Sequence, residues 1–288
     1  MEPVGEPHAS DPRTVKRLER PIASDWLALR RPADERAREA SRPLLHALAD
    51  HFFVSEEVPV VEVIDIGAGT GANQAWLAPR LDFHQRWTLL DHDPELLELV
   101  PDHQQDGPVQ QVTRVVAGIE DLGALDQATG QHCLVTCSAL LDLLSTAQLD
   151  GLSDFLVERG IPALLSLSVT GDVEPDPAHP FDAEINAAFN DHQSRDPLAG
   201  PAAVGYTAER LRNAGMRVQL MDTPWRLEAA DGPLMRRYLQ DRAQAVAEQN
   251  PALAAAADAW LADRLARESE GRLHLGIGHQ DLLCLPPR

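Results

Sequence analysis

The stretch VVEVIDIGAGTGA, residues 60–72, decides how this chain is read. A run of Val and Ile carries a single acid, Asp65, and passes directly into the alternating glycines Gly67, Gly69 and Gly71. Such a run forms a buried strand. Glycines placed straight after it let the backbone turn sharply and admit a ligand closer than any side chain would allow. The sequence therefore holds a cradle for a nucleotide-like ligand. Gly67, Gly69 and Ala72 also satisfy the dinucleotide pattern G-x-G-x-x-G/A, so the glycines alone leave the ligand open.

Asp65 narrows the choice. A carboxylate near the end of an apolar strand is costly to desolvate unless a polar partner meets it, and an ammonium group would suit. A pyrophosphate seated on the following helix N-terminus would instead bring a second anion to the same place. S-adenosylmethionine carries a cationic sulfur and an α-ammonium. The residues Asp65, Ile66, Gly67, Ala68, Gly69, Thr70 and Gly71 read as an acid, one residue, then G-x-G-x-G. On this motif the chain resembles the class I S-adenosylmethionine-dependent methyltransferases, of the bacterial small-molecule type. The other reading of the same residues is a glycine-rich turn in an α/β protein, with Asp65 as a local cap. The resemblance implies S-adenosyl-L-methionine as cofactor, with Asp65, Gly67, Ala68, Gly69 and Gly71 against it.

Further site residues follow along the chain. Twenty-four residues after Gly67, in LLDHDP, Asp91 stands where a carboxylate can accept from both hydroxyls of a ribose. Dinucleotide enzymes place an acid here too, so Asp91 supports a ribose without separating the two cofactors. Asp93 is the alternative, with a competing role as cap of a helix starting at Pro94. His92 belongs either at the rim near the adenine or to a solvated loop. The resemblance implies an acid for the adenine amino group in AGIEDL, residues 117–122, where Glu120 or Asp121 can serve although Ile119 occupies the usual position. A fourth strand then brings Thr136, Cys137 and Ser138 to the sheet edge at which open α/β folds bind ligands. Ser138 and Asp142 face the site or cap the next helix.

The 288 residues allow one α/β domain with a helical insertion, or two domains. A formal net charge of −20 disfavours nucleic acid and anionic membrane surfaces as partners. Acids and bases balance at nine each in residues 1–50, so the excess lies downstream. Lys16 is the one lysine, and no Tyr-x-x-x-Lys pair of the kind used by some nicotinamide enzymes can be built from it. Cys133, Cys137 and Cys284 show neither zinc nor redox spacing and read as reduced core residues, so no metal is expected. Without a run of eighteen apolar residues or a signal-peptide pattern, the expectation is a soluble cytoplasmic protein.

Residues 1–13 read as a disordered tail and 14–55 as a helical cap, with 56–288 as the cofactor-binding domain. Strands are expected at 60–66, 87–90, 112–116, 133–136, 163–169, 216–221 and 273–285, the last with a glycine bend, and helices at about 73–79 and from Pro94. This alternation predicts a doubly wound, mostly parallel seven-stranded sheet, the Rossmann-like methyltransferase fold. Thr207 reads as the cap of a helix ending at Asn213. Residues 171–200 read as a long active-site excursion, and 232–270 as a helical insertion before the last strand, a departure from the short hairpin the family normally has there. That insertion builds the substrate pocket or a subunit contact, which leaves a homo-oligomer open.

Methyl transfer from a sulfonium needs alignment and exclusion of water, with a general base if the acceptor is a hydroxyl or protonated amine. The densest supply of titratable groups is FNDHQSRD, residues 189–196, which makes His192 and Asp196 the catalytic candidates; His279, near Asp281, is a second supply. In SDWLALRRPADERAR, residues 24–38, Arg30 or Arg38 can reach a methionine carboxylate from a lid, or the helix packs Trp26 and Leu27 on the domain. Trp225 lines a pocket or pads the core. The sequence thus points to S-adenosylmethionine-dependent methylation of a small molecule, at oxygen or nitrogen before carbon. An NAD(P)-dependent oxidoreductase and a non-catalytic cofactor-binding module are the alternatives.

Overall fold

The computed structural model describes residues 24–53, 59–102, 107–124 and 132–287. The expected tail and the first ten residues of the expected cap lie outside them. Two helices come first, α1 (Ser24–Arg38) and α2 (Arg42–Phe52), the second with Pro43 in its first turn, where a missing N–H costs nothing. Strand and helix then alternate: β1 (Val60–Ile66), α3 (Ala72–Leu77), β2 (His84–Asp91), α4 (Pro94–Glu98), β3 (Val109–Val116), β4 (Cys133–Ser138), α5 (Thr146–Arg159) and β5 (Ala163–Asp176). After them come α6 (Asp182–Gln193), α7 (Ala203–Asn213), β6 (Arg217–Asp222), β7 (Trp225–Leu227), α8 (Gly232–Gln249), α9 (Ala254–Ser269) and β8 (His274–Leu285).

The sheet runs β3-β2-β1-β4-β5-β8-β6, with β7 paired to β8 off this path. Pairs β1–β2, β2–β3, β1–β4 and β4–β5 are parallel, whereas β8 is antiparallel to β5, β6 and β7. The order reverses at β1 and β4, so the ends of these strands open the crevice in which doubly wound sheets take ligands. One sheet face packs on α5 and α7 and the other on α2 and α3, each through a continuous cluster of buried side chains. The central strands are accordingly apolar along nearly their whole length.

Four features differ from the sequence reading. Among the described residues the sheet has eight strands, the additional one being β7, where Trp225 is buried. Residues 171–200 are not a loop: β5 continues to Asp176 opposite His274–Ile277 of β8, and α6 follows. Thr207 is no cap. It lies inside α7, fully buried, with its hydroxyl donating to the Ala203 carbonyl at 2.8 Å, and the helix begins at Ala203. Asp142 caps nothing either, because Ser145 caps α5 through a reciprocal pair with Gln148.

The outer ends of β5 and β8, with β7, α1, α6, α8 and α9, enclose a third cluster that includes Leu167, Trp225, Met235, Trp260 and Ile277. This layer stands over the crevice. It is joined to the main sheet by a bulge in which Ser166 and Leu167 oppose Asp281 alone, with Leu167 at φ 55°. The Asp281 carboxylate accepts from Leu167 N–H at 2.7 Å, Thr223 Oγ1 at 3.0 Å and Ser41 Oγ at 2.6 Å, tying the bulge, the β6–β7 corner and the α1–α2 junction to one point. His279 is buried in mid-strand.

Candidate cofactor and active site

Gly67, Gly69 and Gly71 lie at φ 63°, 53° and 77°, a region that L side chains rarely adopt. Space is short as well. A Cβ on Gly67 would stand 3.0 Å from Leu140 and one on Gly71 3.1 Å from Val100. The turn is anchored by Ala68 N–H to the Leu90 carbonyl at 3.1 Å and by Gly69 N–H to Asp91 Oδ2 at 2.8 Å. Asp91 is buried, and its Oδ1 accepts from Asp93 N–H at 2.9 Å. Asp93 itself caps α4, its carboxylate accepting from Glu95 N–H at 2.9 Å, so the two acids at this strand end hold separate positions. His92 is exposed, with Nδ1 at 3.3 Å from Asp91 Oδ1.

Asp65 sits at the end of β1 with no exposure. Its Oδ1 accepts from Asn73 Nδ2 at 2.6 Å, while its Oδ2 is buried without a partner among the described residues, as is Asn73 Oδ1. Asn73 also donates to Thr136 Oγ1 at 3.2 Å, and the Thr136 hydroxyl donates to the Leu164 carbonyl at 2.8 Å. Thr136 therefore spends its hydroxyl holding this network rather than facing the crevice. Asn73 was not singled out from the sequence, where an Asn in a helix's first turn carries no special signal. Burial pushes the Asp65 carboxyl up to about 7, against the opposing pull of the Asn73 hydrogen bond and the Arg38 charge.

Glu120 and Asp121 are exposed on a short turn after β3, and Asp121 accepts from Gly118 N–H at 3.0 Å. Ser138, half-buried at the end of β4, is in register with Ser166. The following turn brings Leu140 over Gly67 and leaves Asp142 at 9% exposure, its carboxyl raised by burial although the Arg30 charge opposes. Across the crevice, α1 lays Leu27 against Gly69 and places Arg30 in a two-bond pair with Asp34, at 2.8 and 3.1 Å. The Arg30 guanidinium lies 4.9 Å from the Trp225 ring, and Trp225 in turn meets His279 at 4.9 Å. Burial, aided by Arg30, lowers His279 to about 3.

His192 and Asp196 are placed differently. His192 ends α6 beside Arg195, with Nε2 at 3.5 Å from Glu248 of α8; burial and Arg195 lower its pKa and Glu248 opposes. Asp196 is exposed in the segment that Ala199 N–H ties to the Leu144 carbonyl. None of these contacts reaches the glycine turn or the Asp65 network. Among the described residues no group of three His, Cys, Asp or Glu is placed to hold a metal ion, and no helix is long and apolar enough to cross a membrane.

The residues present fit a ligand with an adenosyl and an amino-acid end: a carboxylate oxygen and an amide oxygen are buried unmet beside a turn that side chains cannot enter. Comparison with known proteins agrees in kind. Residues 63–157 match the family model described as a methyltransferase domain. No curated protein matches the sequence. The structure is similar to one from Anaeromyxobacter dehalogenans described provisionally as a type II methyltransferase, at 18% identity, 85% of this chain, 95% of that chain and TM-score 0.48. It is similar also to a cyclopropane synthase from Mycobacterium tuberculosis, at 13% identity, 91% and 94% coverage and TM-score 0.47. A third is a phosphoethanolamine N-methyltransferase from Haemonchus contortus, solved with phosphomonomethylethanolamine and S-adenosylhomocysteine, at 13% identity, 85% and 53% coverage and TM-score 0.42, so that this chain spans about half its length. The match over residues 63–157 is thus to a methyltransferase domain.

Proposed function

We propose that the protein transfers a methyl group from S-adenosylmethionine to an oxygen or nitrogen of a small-molecule acceptor. Asp65 carries this reading: a fully buried carboxylate with one oxygen unmet, directly before a turn of positive-φ glycines. A buried, unpaired carboxylate oxygen is costly, and an α-ammonium supplies both the donors and the charge it lacks. Asp91 offers the paired acceptors a ribose diol needs, and Gly69 N–H holds it in place. We assign the remaining cofactor contacts to His92, Glu120, Asp121 and Ser138, while Thr136 acts through Asn73.

When bound, the sulfonium supplies an electrophilic methyl group. The chain's own contribution is to orient both partners and exclude water, by the cover that α1 and the turn through Leu140 form over the glycines. An oxygen or nitrogen acceptor also gives up a proton. We assign its acceptance to Asp142 rather than His192 or Asp196, because Asp142 follows Leu140 at the glycine turn and burial raises its carboxyl, which makes its anion a stronger base. The net charge of −20 favours a small acceptor over a phosphate polymer.

The test is a screen of hydroxyl and amine compounds for release of S-adenosylhomocysteine, followed by Asp142→Asn on the best acceptor. Turnover should fall by about 100-fold with cofactor affinity unchanged. An unchanged turnover would remove Asp142 from the mechanism, and a chain that binds cofactor yet methylates nothing across the screen would favour a regulatory module.

A further inference from the structure

Arg242 lies in α8, outside the matched residues, and is buried to 3% exposure. Its guanidinium stands 4.2 Å from the centre of the Phe189 ring and 5.5 Å from that of Tyr238. Nη1 donates to the Tyr238 hydroxyl at 2.6 Å and Nη2 to Asn186 Oδ1, and among the described residues the guanidinium forms no ion pair. All of these partners are neutral. Burial lowers the Arg242 pKa against Tyr238 and the charge of Asp182, but the Asp182 carboxylate is engaged elsewhere, accepting from Trp260 Nε1 at 2.7 Å and His179 N–H at 2.5 Å. Arginine has five N–H donors, so most are left over, and Tyr238, which accepts through its oxygen, keeps its own proton to give. A buried cation without a counter-ion is costly to hold.

The same cluster lacks a donor at its other side. Asn186 and Asn190 of α6 each donate through Nδ2 to the Gly171 carbonyl at 3.0 Å, which fixes both amides, and Asn190 Oδ1 is left buried without a partner among the described residues. The packing here is close: a Cβ on Gly171 would stand 2.7 Å from Asn190 Nδ2 and 3.0 Å from Pro201 Cβ. Pro201 belongs to the segment that Ala199 N–H ties, at 2.8 Å, to the Leu144 carbonyl, at the end of the turn that carries Asp142. Contacts thus lead from Arg242 through the two asparagines and Gly171 to the residue assigned as base. Both deficits are met by one molecule that brings an anion to Arg242 and an O–H or N–H to Asn190. A lone arginine matches the single charge of a carboxylate rather than the charge of roughly −2 on a phosphate monoester. With its face on Phe189, the guanidinium leaves its edge for that planar group.

We propose that Arg242 binds a carboxylate on the methyl acceptor, so that the substrate is a small hydroxy or amino carboxylic acid and the helices inserted before β8 set that choice. The proposal rests on the methyl-transfer reading above and is tested separately from it. Hydroxybenzoates, aminobenzoates and hydroxyphenylacetates, each beside its carboxamide and its phosphonate, are compared by release of S-adenosylhomocysteine and by calorimetry on the chain saturated with S-adenosylhomocysteine. A carboxylate should exceed its carboxamide and its phosphonate by at least about 30-fold in kcat/KM or in affinity. Arg242→Met should raise KM for the carboxylate by about 100-fold with kcat little changed, and leave the carboxamide as it was. Arg242→Lys, which keeps the charge without the fork, should fall between. Equal losses for carboxylate and carboxamide in a folded Arg242→Met would overturn the proposal and make the residue a brace between α6 and α8. If that variant does not fold, the wild-type preference decides: a carboxamide or phosphonate taken within about threefold of its carboxylate would overturn the proposal. So would a chain that binds S-adenosylhomocysteine but none of the carboxylates. Methylation of neutral acceptors alone keeps the methyl-transfer reading and removes this one, whereas a chain that binds no S-adenosylhomocysteine defeats both.

Discussion

Asp65 is where sequence and structure meet most closely. An acid inside a Val–Ile strand is conspicuous in the sequence, and the structure makes the anomaly specific: one oxygen is met by Asn73 and the other by none of the described residues. The carboxyl keeps its proton in the folded protein up to about pH 7, whereas in the unfolded chain it loses it near pH 4. Between those values the folded state holds more protons, so this residue's share of stability is complete below about pH 4 and is lost as pH rises through 7. Asp65→Asn should therefore flatten that part of the stability profile and raise the melting temperature of the ligand-free protein at pH 8, while abolishing cofactor affinity. Thermal denaturation at pH 5 and pH 8 checks it; a lower melting temperature at pH 8 would make Asp65 a structural residue. Gly71→Ala should cost about 1 kcal/mol or more, read by denaturant unfolding, because its φ of 77° and Val100 at 3.1 Å both oppose a side chain. The place of Asp91 at the end of β2 was equally legible. Asn73 was not, because only the fold brings it under both Asp65 and Thr136.

At the scale of elements, what local pattern could not supply was long-range pairing. GDVEPDPAHP reads as a loop for its Gly and Pro content, yet its first half is strand because β8 offers it a partner from nearly a hundred residues away. Thr207 looked like a cap because hydroxyl residues favour that position, but in α7 its hydroxyl bonds back to the preceding turn. The insertion at 232–270 was readable from its Ala-rich helical pattern, and it appears as α8 and α9. The placement of α1 over the crevice was not, since the same amphipathic pattern suits any apolar surface. The bulge in β5 depends on one side chain. Asp281→Ala would leave Leu167 N–H, Thr223 Oγ1 and Ser41 Oγ buried without their acceptor, at a cost of about 3 kcal/mol or more. Urea unfolding should show it as a lower midpoint, and a loss below 1 kcal/mol would mean that these donors find other partners.

For the whole molecule, the β3-β2-β1-β4-β5-β8-β6 order puts the ends of β1, β2 and β4 at one edge, and the third cluster roofs that edge. Cofactor binding is therefore coupled to the stability of elements far apart in the chain. At a hundred times its dissociation constant, S-adenosylhomocysteine should stabilise the fold by about 2.7 kcal/mol, and hydrogen exchange should slow in α1 as well as in the glycine turn. Protection confined to residues 63–157 would separate α1 from the site. The central claim is that Asp65 and Asp91 turn a general nucleotide cradle into one for an adenosyl amino acid. Titration calorimetry with S-adenosylhomocysteine and with NADH, on the wild-type chain and on Asp91→Ala, tests it most directly. The account predicts one S-adenosylhomocysteine per chain, no NADH, and loss of binding in the folded Asp91→Ala variant; binding of NADH in preference to S-adenosylhomocysteine would contradict it.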